Sequence, residues 1–507
     1  MRIYKSLTTL TLALASMMTA GAQQQVNYQA SLTLGAGSGE FAPYYISSLR
    51  GGRYSGQYNS WLSAGIWKDM DHSRRFSYGF GAELMAGYGS GIDYERYDAQ
   101  TDSWFTHKVS PSAGRIQQLY GEVKYRSLFL WAGMRDASSP LLNQELTSGD
   151  LVESGNARGI PQVRAGFIDF QNVPFTNGWL QIQGELSYGK YTDNGWMKDQ
   201  FNRWNSHLST GEYYHYKRLY FRIADHKPFT VTFGMQSAAE FGGHVAWYDK
   251  GVNYLSEKRP LRLKDFISML VPNEDGTDGY YAGNHLGAWD FQARYRFKNN
   301  ATAKAYFSWP WEDGSGIGKL NGWDGLWGLE YNSGKRAIVT GAVIEYIDLT
   351  NLSGPIHFAP ADYPGTTLPG EATGADDYYN NTSYGPYTNY GFTIGSPTVA
   401  GTIYNTDGYA QIVTNRLRGF HAAVKGNILP CLDYRLKVGY RKAWGNAKLT
   451  LPRPRHLTSV MLEATWRIER IKGLSLLAQA ELDRGNLPCD ATALMVTLRY
   501  DGSFNIK

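Results

Sequence analysis

The chain has 507 residues, with 57 Gly, 37 Tyr and 14% aromatic residues, and a mean hydropathy of −0.41. Beyond the N-terminus no apolar run approaches the roughly 18 residues of a transmembrane helix, so a helical membrane span is excluded there. A formal charge of +5, or +3 without Arg2 and Lys5, argues against a nucleic-acid binder, and Cys431 and Cys489 are too few for a disulfide scaffold.

The first element is a secretory signal. Arg2 and Lys5 precede the apolar run from Leu7 to Met18, and Ala20-Gly21-Ala22 forms a small-residue cleavage site before Gln23. The expected division is therefore a signal peptide over 1–22 and one barrel domain over 23–507. No cysteine stands near the cleavage site, so a lipoprotein is not expected. Strands then follow one another. The first starts at Val26, and the next are Asn59–Lys68, Phe76–Tyr88, Ile116–Tyr125, Leu128–Arg135, Pro161–Phe170 and Trp179–Tyr188. Further along come Tyr214–Ile223, Phe229–Gln236, His285–Phe297, Ala301–Trp309, Gly325–Tyr331 and Arg336–Tyr346. The last five are Arg416–Ile428, Leu432–Arg441, His456–Trp466, Gly473–Leu482 and Ala491–Tyr500. In the seventh, Leu180, Ile182, Leu186 and Tyr188 share one parity and Gln181, Gln183, Glu185 and Ser187 the other. A strand of that pattern has one apolar and one polar face.

These segments predict an all-β fold, a transmembrane barrel of about 18 antiparallel strands, an even number of strands of membrane-spanning length. The connections sort by parity. With the first strand rising from the periplasm, turns such as Asp69–Arg75, Arg126-Ser127 and Leu429–Cys431 are short and periplasmic, whereas Gly89–Arg115, Asp136–Ile160, Gly189–Tyr213, Ser237–Asn284 and Asp348–Asn415 are long and extracellular. The last strand is expected to close on the first and leave no free edge. Cys431 and Cys489 then belong at opposite ends of the barrel. The polar parity puts Glu83, Glu122, Arg164, Glu185, Arg222, Asp290, Glu345 and Glu481, among others, in the lumen. Such interspersed charges suit a braced, partly filled interior better than an ion-selective pore. Glu185 and Arg222 are expected to neutralise each other, and Asn156 and Arg158 to brace a loop.

Catalytic constellations are poor. The ten histidines are scattered, without His-x-x-x-His or Cys-x-x-Cys spacing, so neither a metal nor another cofactor is expected. Gly314-Ser315-Gly316-Ile317-Gly318 has no βαβ setting for a nucleotide. The segment from Leu146 to Pro161 contains Ser148-Gly149 and Asn156-Ala157-Arg158; Glu312-Asp313-Gly314-Ser315-Gly316, Asp324-Gly325-Leu326-Trp327-Gly328, Ser353-Gly354-Pro355-Ile356-His357, Asp376-Asp377-Tyr378-Tyr379-Asn380-Asn381 and Asn415-Arg416-Leu417-Arg418-Gly419 follow in order. Together these resemble the Wzi-type capsule assembly family of outer-membrane proteins, in the branch of Bacteroides-like Gram-negative bacteria. The resemblance implies an eighteen-stranded barrel, short helical elements that occlude its lumen, and a non-enzymatic, lectin-like role in holding capsular polysaccharide. The first strand starts directly after the signal, which leaves little room for an N-terminal periplasmic helical bundle.

Sugar recognition needs aromatic faces beside planar amide, carboxylate or guanidinium groups. Trp309, Trp311, Glu312 and Asp313 supply that mixture on one loop, and Asp376, Asp377, Tyr378, Tyr379, Asn380 and Asn381 on another. The same side chains also serve to fold Asx- and Gly-rich loops upon themselves. The expectation is a monomeric outer-membrane protein with surface polysaccharide and outer-membrane lipid as partners. An OprD-type substrate-specific channel and an outer-membrane enzyme acting on lipid or glycan are the alternatives. A TonB-dependent transporter is disfavoured, because strands begin where a plug domain would stand.

Overall fold

An alternating strand in a membrane turns its apolar side chains to lipid and its polar ones to the interior, and it must pair on both edges because lipid offers its backbone no hydrogen bonds. The computed structural model describes residues 24–204, 206–223, 225–259, 261–271, 283–312, 321–352, 377–447 and 449–506, so the expected signal peptide lies outside the described residues. The wall consists of β1 (Gln24–Ser38), β2 (Asn59–Lys68), β3 (Phe76–Gly89), β4 (Gly114–Tyr125), β5 (Leu128–Met134), β6 (Gln162–Phe167, resuming at Gln171–Asn172), β7 (Leu180–Lys190), β8 (Tyr213–Ile223) and β9 (Phe229–Phe241). It continues with β10 (Asn284–Arg296), β11 (Thr302–Glu312), β12 (Gly325–Asn332), β13 (Gly341–Asp348), β14 (Leu417–Leu429), β15 (Leu432–Gly445), β16 (Thr450–Arg467), β17 (Leu474–Gly485) and β18 (Ala491–Ile506).

Each strand pairs antiparallel with the next, and β18 pairs with β1 from Ser38↔Thr492 to Gln24↔Ile506, closing an 18-strand barrel. Every predicted strand is present. The largest boundary differences are at β16, which starts at Thr450 instead of His456, and β18, which runs on from Tyr500 to Ile506; Arg336–Thr340 belongs to the turn before β13 instead of the strand.

The exposed parity is apolar. Leu62 is 57% exposed and its neighbour Trp61 1%; Leu494 is 56% exposed and Met495 2%. This outward belt of Leu, Val, Phe and Tyr is the surface that meets hydrocarbon. Turns after even-numbered strands are short, and the connections after the odd-numbered strands from β1 to β13 are long, which defines a periplasmic and an extracellular end; those after β15 and β17 are short as well. Cys431 follows β14 and Cys489 follows β17, so the two free cysteines sit at opposite ends.

The long connections carry structure of their own, beyond the strands that the alternation predicts. Ile92–Asp98 pairs with Ser103–Val109 in a hairpin, and Ser206–Thr210, His244–Asp249 and Val252–Lys258 make a three-stranded sheet. A helical turn, α1 (Tyr44–Ser47), is fully buried in the lumen. The helix α2 (Asn194–Gln200) stays in its loop. The helix α3 (Leu263–Leu270) packs on the outer wall, where Phe266 meets Tyr188, Tyr213 and Phe241 and the Lys217 ammonium donates to the carbonyls of Met269 and Leu270 at 2.7 Å each.

Candidate functional site

The main hydrophobic core is not between layers but inside the extracellular half of the barrel. There Tyr44 and Tyr45 from the first loop, Leu151 and Val152 from the third, and Tyr378, Tyr379, Tyr387 and Phe392 from the longest pack against wall residues such as Tyr214, Tyr216 and Ile347. Irregular backbone can lie at membrane depth only where its polar groups find partners. The wall supplies them as carboxylates. Glu481 accepts the amides of Tyr45 and Ile46 at 2.7 Å each, and Asp483 that of Tyr44 at 2.8 Å. Glu345 accepts the Ser148 amide and the Thr147 hydroxyl at 2.6 Å each, and Glu312 accepts the Tyr379 amide at 2.5 Å. Arg53 ties the first loop to Glu83 of the wall at 2.5 Å and to Asp136 of the third loop at 2.6 Å. Gly155 holds a left-handed φ of 80°, and a Cβ there would run into the Ala137 carbonyl, so the tight fold of this segment requires glycine.

The periplasmic half is hollow by contrast. One cavity of about 800 Å³ is lined by Lys425, Arg435, Glu463, Arg467, Arg499 and Asp501, and another of about 380 Å³ by Glu122, Arg135, Arg164, Glu185 and Arg218. Charges of both signs alternate around these walls. Glu185 pairs with Arg164 at 3.0 Å and Arg218 at 3.2 Å. The expected Glu185–Arg222 pair does not form: in the β7–β8 register Glu185 stands opposite Arg218, while Arg222 faces Gln181, takes its Oε1 at 2.7 Å and pairs with Asp225. Register decides the partner where several arginines share a parity: Arg218 and Arg222 are four residues apart on one face, and only the first stands opposite Glu185.

The candidate glycan residues are placed as follows. Trp309 faces outward at the extracellular rim, donates to Asn321 Oδ1 at 2.8 Å and stacks on Trp323 with centroids 5.7 Å apart. Trp311 and Glu312 are buried, and the Trp311 ring occupies the space that Gly287 leaves open. Asp313 and Asp376 lie outside the described residues. Asp377 accepts from Asn415 Nδ2 at 2.8 Å and from Asn380 Nδ2 at 3.0 Å. The Tyr378 hydroxyl lies between Asn321 Nδ2 (2.7 Å) and Asp324 Oδ2 (3.1 Å), and that of Tyr379 donates to the Leu151 carbonyl at 2.5 Å. Burial raises the Tyr379 phenol well above its ordinary value and lifts the Asp324 carboxyl to about 6. Asn380 pairs with both backbone groups of Ile412 at 2.8 Å, and Asn381 reaches Asn284 at 3.0 Å. The polar atoms of 377–381 are thus turned into the plug.

Asn156 is buried and joins three segments: it accepts from the Leu49 amide at 3.2 Å and donates to the Thr393 carbonyl at 3.0 Å. Arg158 donates to the Ile116 carbonyl at 2.5 Å and lies over the Tyr390 ring at 5.0 Å.

An aromatic surface that the sequence reading missed stands on the extracellular loops. In the hairpin of the second long loop Trp104 is 47% and Phe105 45% exposed. Trp104 lies 5.4 Å from Tyr97 and 5.5 Å from Trp204, and Tyr97 meets Trp204 edge-on at 4.5 Å. Carboxylates flank the rings. Asp98 accepts from Thr101 at 3.0 Å, and Asp102 accepts from the Tyr97 hydroxyl, a bond that holds the phenol above its ordinary value. An exposed indole face beside Asp98, Gln100 and Asp102 has the composition that stacks on a sugar ring and takes its hydroxyls. Its signal in the sequence was the turn-forming run Asp98-Ala99-Gln100-Thr101-Asp102 between two alternating stretches. Among the described residues no group of three His, Cys, Asp or Glu could hold a metal ion.

A closed eighteen-stranded wall with a lipid-facing apolar belt and sorted loops defines an outer-membrane type of β-barrel. No family model matches the chain, and no curated protein matches it. Among solved structures it is similar to Wzi of Escherichia coli, described as an outer-membrane protein involved in group 1 capsule assembly and as a carbohydrate-binding β-barrel, with 12% identity, a TM-score of 0.54, and 97% of this chain and 87% of Wzi covered. Acinetobacter baumannii OccAB2 matches at 9% identity and a TM-score of 0.44 over 95% of this chain and 98% of its own, and Pseudomonas aeruginosa OpdQ at 9% and 0.42 over 96% and 98%. At these identities the likeness to Wzi is one of fold.

Proposed function

We propose that this protein is a monomeric, non-enzymatic outer-membrane barrel that holds surface polysaccharide, secreted by the N-terminal signal and engaging glycan on its extracellular loops. One observation carries the reading: loops fill the extracellular half of the lumen with a buried core, while aromatic side chains stand exposed on the loops above it. A diffusion channel needs the reverse, a wetted constriction and a continuous path. Wzi, of similar fold, is described as carbohydrate-binding, which agrees with this reading. The exposed face of Trp104, backed by Trp204 and the buried Tyr97, supplies the platform, and residues 377–381 hold the plug.

The test is calorimetric titration of the detergent-purified protein with capsular polysaccharide from its host, alongside planar-bilayer recording. The native protein binds, W104A/W204A weakens binding by about tenfold, as the loss of aromatic stacking predicts, and the bilayer stays silent. Absence of binding, or binding indifferent to W104A/W204A, overturns the assignment. Steady native conductance would instead favour the substrate-channel alternative.

A further inference from the structure

Around most of the wall the outward face is apolar, but above β13 to β17 the rim changes character. Tyr346, Phe420 and Tyr440 lie in one cross-strand row, with Tyr346 and Phe420 centroids 4.8 Å apart. One step towards the extracellular end is a second row: Asp348, Arg418, Lys442 and His456 stand opposite one another in register and share the outward parity of Phe420 and Tyr440. Two residues along a strand span about 7 Å, so the cations sit just above the aromatic girdle. Arg416 and Arg484 extend the group, and both are exposed. The one carboxylate in the row, Asp348, takes Arg418 Nε at 2.8 Å. Arg416 Nε donates to the Thr350 carbonyl at 2.9 Å, and Arg418 Nη2 to the Thr350 hydroxyl at 3.1 Å. Lys442 lies 5.4 Å from the Trp444 ring centroid. A hollow of about 590 Å³ opens between Trp323, Trp444, Arg416 and Arg418. Asp324 also lines it, but its oxygens are turned to the Asn351 and Leu352 amides and the Tyr378 hydroxyl.

We infer that this rim binds a phosphorylated glycolipid of the outer leaflet, its phosphates on Arg416, Arg418 and Lys442 and its acyl chains on the apolar belt below. Cations at this height meet the head groups, guanidinium forks match phosphate oxygens, and indoles sit naturally between head group and chain. The occupant must be amphiphilic, because the cationic row is continuous with the lipid-facing girdle. A soluble anion would use only half of the surface.

Native protein and R416Q/R418Q/K442Q, each confirmed as folded by its heat-modifiable mobility, are mixed in non-ionic detergent with bis-phosphorylated lipid A, with dephosphorylated lipid A, or with inorganic phosphate. Bound lipid is counted by native mass spectrometry. Native protein retains the phosphorylated lipid preferentially, and retention falls roughly fivefold for each cation removed. R416K/R418K/K442R, which keeps the charges, retains most of it. A matched set at the opposite end, R126Q/R470Q/K472Q, leaves retention unchanged. Equal retention of the dephosphorylated lipid, or equal retention by R416Q/R418Q/K442Q, overturns the inference. Displacement of the lipid by inorganic phosphate would overturn the lipid assignment and mark a site for free phosphate.

Discussion

Replacing Glu345 with Ala tests whether wall carboxylates hold the plug. Glu345 is 1% exposed and serves three donors: the Ser148 amide, the Thr147 hydroxyl and, at 2.5 Å, the Tyr306 hydroxyl. A buried donor left without its acceptor costs about 1–3 kcal/mol. The two hydroxyls can rotate towards other acceptors, but the Ser148 amide is fixed by its backbone, so the total is about 4 kcal/mol. The strand pairing of β13 uses backbone groups and survives. The loss therefore falls on the plug segment and raises its opening equilibrium roughly a thousandfold. Hydrogen exchange of the peptide covering residues 143–154 reads this directly: amides protected in the native protein exchange far faster in E345A, while β14–β18 stay protected. Glu345→Gln keeps one oxygen acceptor and loosens the segment less. If E345A exchanges this peptide within about threefold of the native rate, the wall carboxylates do not hold the plug and the reasoning fails.

Three other outcomes are expected. Arg164 is 9% exposed and forks onto Glu153 of the plug at 2.7 and 3.0 Å while pairing with Glu185, so Arg164→Ala leaves the buried Glu153 without its cation, leaves Glu185 with Arg218 alone, and destabilises by about 3–5 kcal/mol, read as a lower thermal midpoint in detergent; an unchanged midpoint would refute the brace. Asp193, in the fourth long loop, is 1% exposed, and burial raises its carboxyl to about 7 although it accepts the Tyr390 amide at 2.9 Å. The folded state binds a proton that the unfolded state has released between about pH 4 and 7, so stability falls by about 1.4 kcal/mol per pH unit across that window. Asp193→Asn keeps the acceptor oxygen and removes this slope, so thermal midpoints of the variant at pH 4, 5.5 and 7 that fall as steeply as the native ones would show another group responsible. A membrane-impermeant thiol reagent on intact cells should spare Cys431, at the short-turn end, and label Cys489 if it is accessible; labelled Cys431 would invert the topology.

The wall was readable from the sequence because a membrane imposes a period of two on every strand, lipid on one side and wet lumen on the other. Asn59–Lys68 and Leu432 onward show this plainly; boundaries drifted where apolar residues on both parities, as Ala337, Ile338 and Val339, carry the pattern into a turn, and where strands run on past the membrane-spanning stretch, as β16 and β18 do. The loop hairpin bearing Trp104 escaped because its strands are short and serve no lipid face. Residues 377–381 show the deeper limit. An amide and a phenol side by side have the same composition whether they point at a sugar or at the Ile412 backbone, and only the fold turns them inward.

The sequence by itself determined the strand number, the outward apolar belt and which end carries the long loops, since alternation and loop length are local properties of the chain. Tertiary structure decided what the loops do. Whether Glu185 meets Arg218 or Arg222, whether Tyr379 faces solvent or the core, and whether the lumen is open or filled all depend on register and on segments more than a hundred residues apart coming together, as Thr147 does with Glu345 and Tyr45 with Glu481. Those contacts form because buried amides inside a barrel must find acceptors, and no local pattern says which wall residue will supply them.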